Sequence, residues 1–157
     1  MVLGLLVQEV SGRSWADYIE ENITGPLGME DTYTSLEEAE AAGLTRVHRY
    51  WFGYPARTEG KYLPSLAPSG FLYSSASDLG RYLAMYLGGG SSSGVEVLSR
   101  TGVNTMLSPA TDPATRTLMS HTFELQYGAG WFVGPFGAAD DARWHLGYLP
   151  YFTAWLV

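Results

Sequence analysis

The sequence predicts an α+β fold, with helices first and antiparallel strands last. Two observations predict it. Up to Leu107, apolar residues recur at helical spacing behind serine caps; from Gly130 onward, short aromatic and β-branched runs alternate with turns rich in Gly, Pro and Asp. The length of 157 residues suits one domain, and no internal repeat divides it.

Leu3, Leu6, Val7 and Val10 fall at i, i+3, i+4 and i+7, the stripe of a buried helix face, and Ser11-Gly12 interrupts it. Ser14, with Asp17 three residues on, reads as the N-cap of a second helix that Gly25-Pro26 ends. Ser35 and Glu38 form a capping-box pair for a short helix running to Gly43. From Arg46 to Ser69 the pattern is irregular, aromatic and proline-rich, as in a surface excursion. Ser75 and Asp78 open a helix through Leu79, Leu83 and Leu87, and Gly88 to Gly94 reads as a loop. Ser99 caps one more helix, with Val103, Met106 and Leu107 on its inner side. Strands are then expected at 130–133, 142–145 and 151–157.

A net charge of −7, with nine basic residues scattered along the chain, argues against nucleic acid as a partner. The absence of cysteine excludes disulfides, a thiolate nucleophile and Cys-ligated metal. No window approaches the ~20 apolar residues of a membrane-spanning helix. The apolar start runs straight into Gln8-Glu9 with no basic segment before it, so it is not read as a signal peptide. Oligomeric state is open at this level.

Four stretches stand out in order: Leu3-Gly4-Leu5-Leu6 through Ser11-Gly12; Pro26-Leu27-Gly28-Met29-Glu30-Asp31-Thr32; Pro68-Ser69-Gly70-Phe71-Leu72-Tyr73-Ser74-Ser75-Ala76-Ser77-Asp78-Leu79; and Tyr127-Gly128-Ala129-Gly130-Trp131 with His145-Leu146-Gly147-Tyr148-Leu149-Pro150. Together they resemble the penicillin-recognising serine hydrolases, the bacterial group of class C β-lactamases, D-alanyl carboxypeptidases and related esterases. The resemblance implies a partial β-lactamase/transpeptidase-like fold over residues 1–157. It also implies a small-molecule or peptide-like acyl substrate, no cofactor, and an extracytoplasmic location for the complete protein.

Two family motifs are missing. The only lysine, Lys61, has no serine three residues before it, and neither Asn22 nor Asn104 follows a tyrosine at Tyr-x-Asn spacing. On the family template the chain is expected to be the C-terminal portion of one incomplete domain, inactive alone because the attacking serine and its lysine are absent.

The resemblance makes His145, Gly147 and Tyr148 the site candidates, as the third motif lining the cleft. The first position meets a substrate carboxylate, glycine admits the substrate backbone, and the Tyr148 N–H contributes to an oxyanion hole. Leu146 and Tyr151 depart from the family pattern, which points to altered substrate choice or to relaxed selection. The other reading of His145 is an ordinary strand histidine beside Trp144.

The remaining candidates have simpler readings. Ser74 and Ser75 are read as a helix start, and Asp140-Asp141 as a solvated turn. His48, His121 and His145 are too far apart in sequence to suggest a metal site. The alternative function is a stand-alone, non-catalytic module that binds peptides or cell-wall fragments.

Overall fold

The computed structural model of the chain describes residues 2–58, 60, 62–63, 66–118, 121–149 and 152–157. Lys61, Pro150 and Tyr151 therefore lie outside the described residues.

The helical part comprises α1 (Val2–Ser11), α2 (Trp15–Ile19), α3 (Leu36–Ala41), α4 (Ala67–Gly70), α5 (Ala76–Leu87) and α6 (Arg100–Leu107). All four serine caps form: the hydroxyls of Ser14, Ser35, Ser75 and Ser99 accept from the backbone N–H three residues on, at 3.1–3.2 Å. Helix α2 widens into a π-helical turn over Glu20–Thr24. That turn ends where Gly28 takes φ +63° and the Met29 N–H returns to the Thr24 carbonyl at 2.8 Å. Glycine suits this position because a β-carbon there is strained. The reversal points Leu27 and Met29 into the core, which is what Pro-Leu-Gly-Met accomplishes physically.

The apolar stripe of α1 is not buried as the spacing suggested. Leu3, Leu6 and Val10 are exposed, and only Gly4 is covered, by Pro68. Helix α1 meets α4 through that small residue, so its long side chains reach no described neighbour that would bury them. The stretch from Arg46 also differs from expectation, because it holds a hairpin of β1 (His48–Trp51) and β2 (Tyr54–Arg57). Two-residue strands β3 (Ser91–Ser92) and β4 (Val95–Glu96) form a smaller hairpin in the glycine-rich loop.

The main sheet is an antiparallel meander in the order β5-β6-β7-β8-β9. It is formed by Ala114–Leu118, His121–Tyr127, Phe132–Phe136, Ala139–Leu149 and Phe152–Leu156. Strand β5 carries Thr and Arg with little apolar signal, whereas β6 alternates Phe123, Leu125 and Tyr127 with Thr122, Glu124 and Gln126, a period-2 signal present in the sequence but absent from the strands expected above. Asp140 and Asp141 sit on β8 rather than in the turn before it.

Helices and sheet share one core of Leu27, Met29, Met85, Tyr86, Val103 and Trp131. Trp131 is the bridge, its ring edge-on to Tyr86 with centroids 5.0 Å apart. Such pairs add about 0.5–1.5 kcal/mol beyond the area they bury. Leu156 of β9 packs against the same cluster.

Candidate functional site

Strand β8 changes partner midway. Ala139 to Trp144 pair with β7, whereas His145 to Leu149 pair with β9 on the other side. Among the described residues, no strand pairs with the β7-side edge of 145–149. A free edge presents backbone donors and acceptors, and an extended ligand can add to it as a strand.

His145 opens this half-strand, opposite Leu156. Its imidazole lies stacked on Phe132, centroids 5.4 Å apart and planes 18° apart. Nε2 is 3.2 Å from the Tyr127 hydroxyl. Burial lowers the His145 pKa, because the charged ring loses water, while a backbone hydrogen bond with Leu146 pulls weakly upward. Burial raises the Tyr127 pKa, so that hydroxyl keeps its proton. At neutral pH the pair is an uncharged, oriented hydrogen-bonding unit, and His145 serves as a neutral donor or acceptor rather than a cation.

Gly147 is exposed, opposite Ala154, and a β-carbon there would sit 3.7 Å from that of Ala154, an ordinary contact. Nothing among the described residues requires glycine at this place, which leaves the space above it open to a ligand. Tyr148, 64% exposed, pairs with Thr153, and strand alternation sends its side chain to the face opposite His145 and Gly147.

Leu149 lies two residues beyond Gly147 and, with Phe152, closes one side of a cavity of about 510 Å³. Tyr62, Phe71 and Tyr73 form an aromatic wall of it, with Tyr62 and Phe71 edge to face at 5.4 Å, while Arg57 brings it a charge. The half-strand thus runs from a hydrogen-bonding histidine, over an open glycine, to a recess with an aromatic wall and the charges of Glu40, Arg46 and Arg57. Tyr127 is in one of the stretches singled out above. Phe71, Tyr73 and Leu149 of the cavity wall are also in those stretches, whereas the roles of Phe132 and Tyr62 carried no sequence signal, because they depend on which elements become neighbours.

A second polar cluster looks chemical and is structural. Ser74 Oγ and Thr32 Oγ1 are 2.8 Å apart, and Thr32 donates to the Asp78 carboxylate. That carboxylate is fully buried and also takes the Asp31 N–H and an ion pair with Arg81. With its acceptor capacity committed this way, it is an anchor rather than a base for Ser74. Ser75 is the helix cap already described. His48 and His121 lie on β1 and β6, and among the described residues no group of three His, Asp or Glu side chains could hold a metal ion.

The family model described as Beta-lactamase matches residues 1–157. Protein Rv1367c of Mycobacterium tuberculosis is 32% identical over 142 residues, covering 85% of this chain and 33% of that protein. The octameric penicillin-binding protein homologue from Pyrococcus abyssi superposes with a TM-score of 0.80 at 25% identity, covering 98% of this chain and 32% of the other. The D-amino acid amidase from Ochrobactrum anthropi SV3 shares the fold at a TM-score of 0.63 and 21% identity, with 95% and 40% covered. The chain belongs to the β-lactamase family, the group of serine hydrolases that its motifs resemble, and carries part of its fold. It spans about a third of the length of the curated relatives it matches.

Proposed function

We propose that this chain supplies the third-motif wall of an acyl-transfer site in a longer serine hydrolase. The observation that carries the reading is the edge of β8 at 145–149 that no described strand pairs with, with His145 oriented by Tyr127 and Gly147 open beside it. In that protein a serine from a Ser-x-x-Lys segment gives its proton to the motif's lysine and attacks an amide, ester or β-lactam carbonyl. The carbonyl's C–N or C–O bond breaks, and the amine or alcohol departs with a proton (remaining tethered in a β-lactam). The oxyanion is met in part by the Tyr148 N–H, and water hydrolyses the covalent acyl-enzyme. His145 donates a hydrogen bond to the substrate carboxylate, and an extended substrate backbone lies along residues 145–149. No step calls for a cofactor.

The test begins with the genomic sequence on both sides of this reading frame. A Ser-x-x-Lys followed by Tyr-x-Asn upstream of the α1 segment is expected. The longer protein should then form a serine-linked acyl adduct with a p-nitrophenyl ester or a penicillin, seen by mass spectrometry. Unrelated sequence upstream, or no adduct, overturns the reading. In that event the free edge of β8 still offers a peptide-binding module, since strand addition requires no nucleophile.

A further inference from the structure

The β1–β2 hairpin carries aromatic side chains that no described residue buries. Tyr50, Trp51, Phe52 and Tyr54 are 81, 56, 88 and 77% exposed. The ring contacts found here are local: Trp51 meets Phe52 edge to face at 5.2 Å, and the Arg49 guanidinium sits 4.9 Å from the Trp51 centroid. At the turn, Phe52 takes φ +48° and Gly53 φ +83°. Such turns favour Asn-Gly, so a phenylalanine held there is strained and displayed at once.

The surrounding charge is also unusual. In a chain of net charge −7, the segment from Ala41 to Thr58 has no acidic residue, yet it holds Arg46, Arg49 and Arg57 as well as His48.

We propose that this hairpin docks on an anionic lipid bilayer, its aromatic tip in the headgroup layer and its arginines against the negative surface. Tyr and Trp favour that layer because their rings are apolar and their polar atoms stay wet. Arginines near an anionic surface add attraction that salt weakens. At headgroup depth the hairpin's outward N–H and C=O groups keep their water, so a two-stranded element suffices. A protein partner fits less well, because a turn tip presents far less than the roughly 800 Å² per partner of a stable interface. Val47, Arg57 and Thr58 at the hairpin's base also line the cavity beside Leu149. Docking would therefore bring the mouth of that cavity close to the membrane surface. The proposal is independent of the acyl-transfer reading, since it requires no nucleophile.

The experiment is co-sedimentation of the chain with vesicles of phosphatidylcholine alone and with vesicles containing about one-quarter phosphatidylglycerol. Binding to the anionic vesicles, weakened by added salt, is expected. Trp51→Ala with Phe52→Ala, and separately Arg49→Ala with Arg57→Ala, should each lower partitioning by about tenfold or more. These side chains are exposed, so the variants keep the fold, which matching circular dichroism verifies. Leu5→Ser with Leu6→Ser on α1 controls for the other exposed apolar surface and should leave binding intact. A wild-type chain that ignores anionic vesicles overturns the proposal. So do hairpin variants that bind like wild type, or loss of binding only in the α1 variant.

Discussion

Thr32 donates its hydroxyl hydrogen to the buried carboxylate of Asp78, 2.8 Å away and 46 residues later in the chain. The contact joins two of the stretches that stand out in the sequence, the one ending in Thr32 and the one leading into α5. Backbone hydrogen bonds between Tyr33 and Tyr73, 2.8 and 2.9 Å long, fasten the same junction. The sequence pairs Ser75 with Asp78 as a capping box. Ser75 does cap the helix, but the Asp78 side chain instead turns to the 31–32 loop.

Replacing Asp78 with Ala should therefore destabilise the fold by about 2 kcal/mol, since it removes the acceptor of the Asp31 N–H and one of the two partners of the Thr32 hydroxyl at a part-buried junction. Little of this comes from Arg81, which is half exposed and screened by water. Thr32→Val should cost about 1 kcal/mol. Urea unfolding of the three proteins checks the order.

Gly90 adopts φ +104°, and a β-carbon there would lie 1.7 Å from the Leu98 carbonyl oxygen. Gly90→Ala should cost about 3 kcal/mol or more, combining strain with overpacking. Gly94 has φ +83° with open space around it, so Gly94→Ala should cost only about 1 kcal/mol. Thermal melting of the pair separates backbone strain from collision.

His145 titrates below its ordinary value of 6.5 because burial disfavours the charged ring. The unfolded chain then takes up the proton first as pH falls. The His145 contribution to stability is full above about pH 6.5 and declines from there down to its folded pKa. His145→Gln should flatten the stability profile over that window. A ring-proton NMR titration with a midpoint above 6.5 would contradict the assignment.

Gly147→Ala separates folding from binding. The new methyl meets only Ala154 at an ordinary distance, so stability should stay within about 1 kcal/mol of wild type. In the longer protein the same change should lower kcat/KM for acylation by about tenfold or more, because the methyl occupies the ligand's approach. A variant with unchanged kcat/KM would remove Gly147 from the site.

Much of this fold was legible because its signals are local. Each serine cap has its acceptor role written within three residues, and Val103, Met106 and Leu107 pack inward as their spacing indicated. What escaped depends on distant partners. Strand β5 lacks an apolar alternation, α1 has an apolar stripe that nothing described covers, and the contacts of His145 with Tyr127 and Phe132 cannot be read from spacing; β6, by contrast, carries its alternation locally. Spacing reports periodicity, whereas burial depends on which elements become neighbours.

The change of partner along β8 has an implication for how this protein could diversify. A wall made of backbone groups measures a ligand's extension and direction while remaining blind to its side chains. Substrate identity would then have to be read elsewhere, by the Arg57, Tyr62 and Tyr73 wall of the cavity beyond Leu149. That separates grip from taste. On the proposed acyl-transfer reading, sequence drift in the segment from Arg46 to Tyr73 would redirect the choice of acyl group while the strand wall stays unaltered.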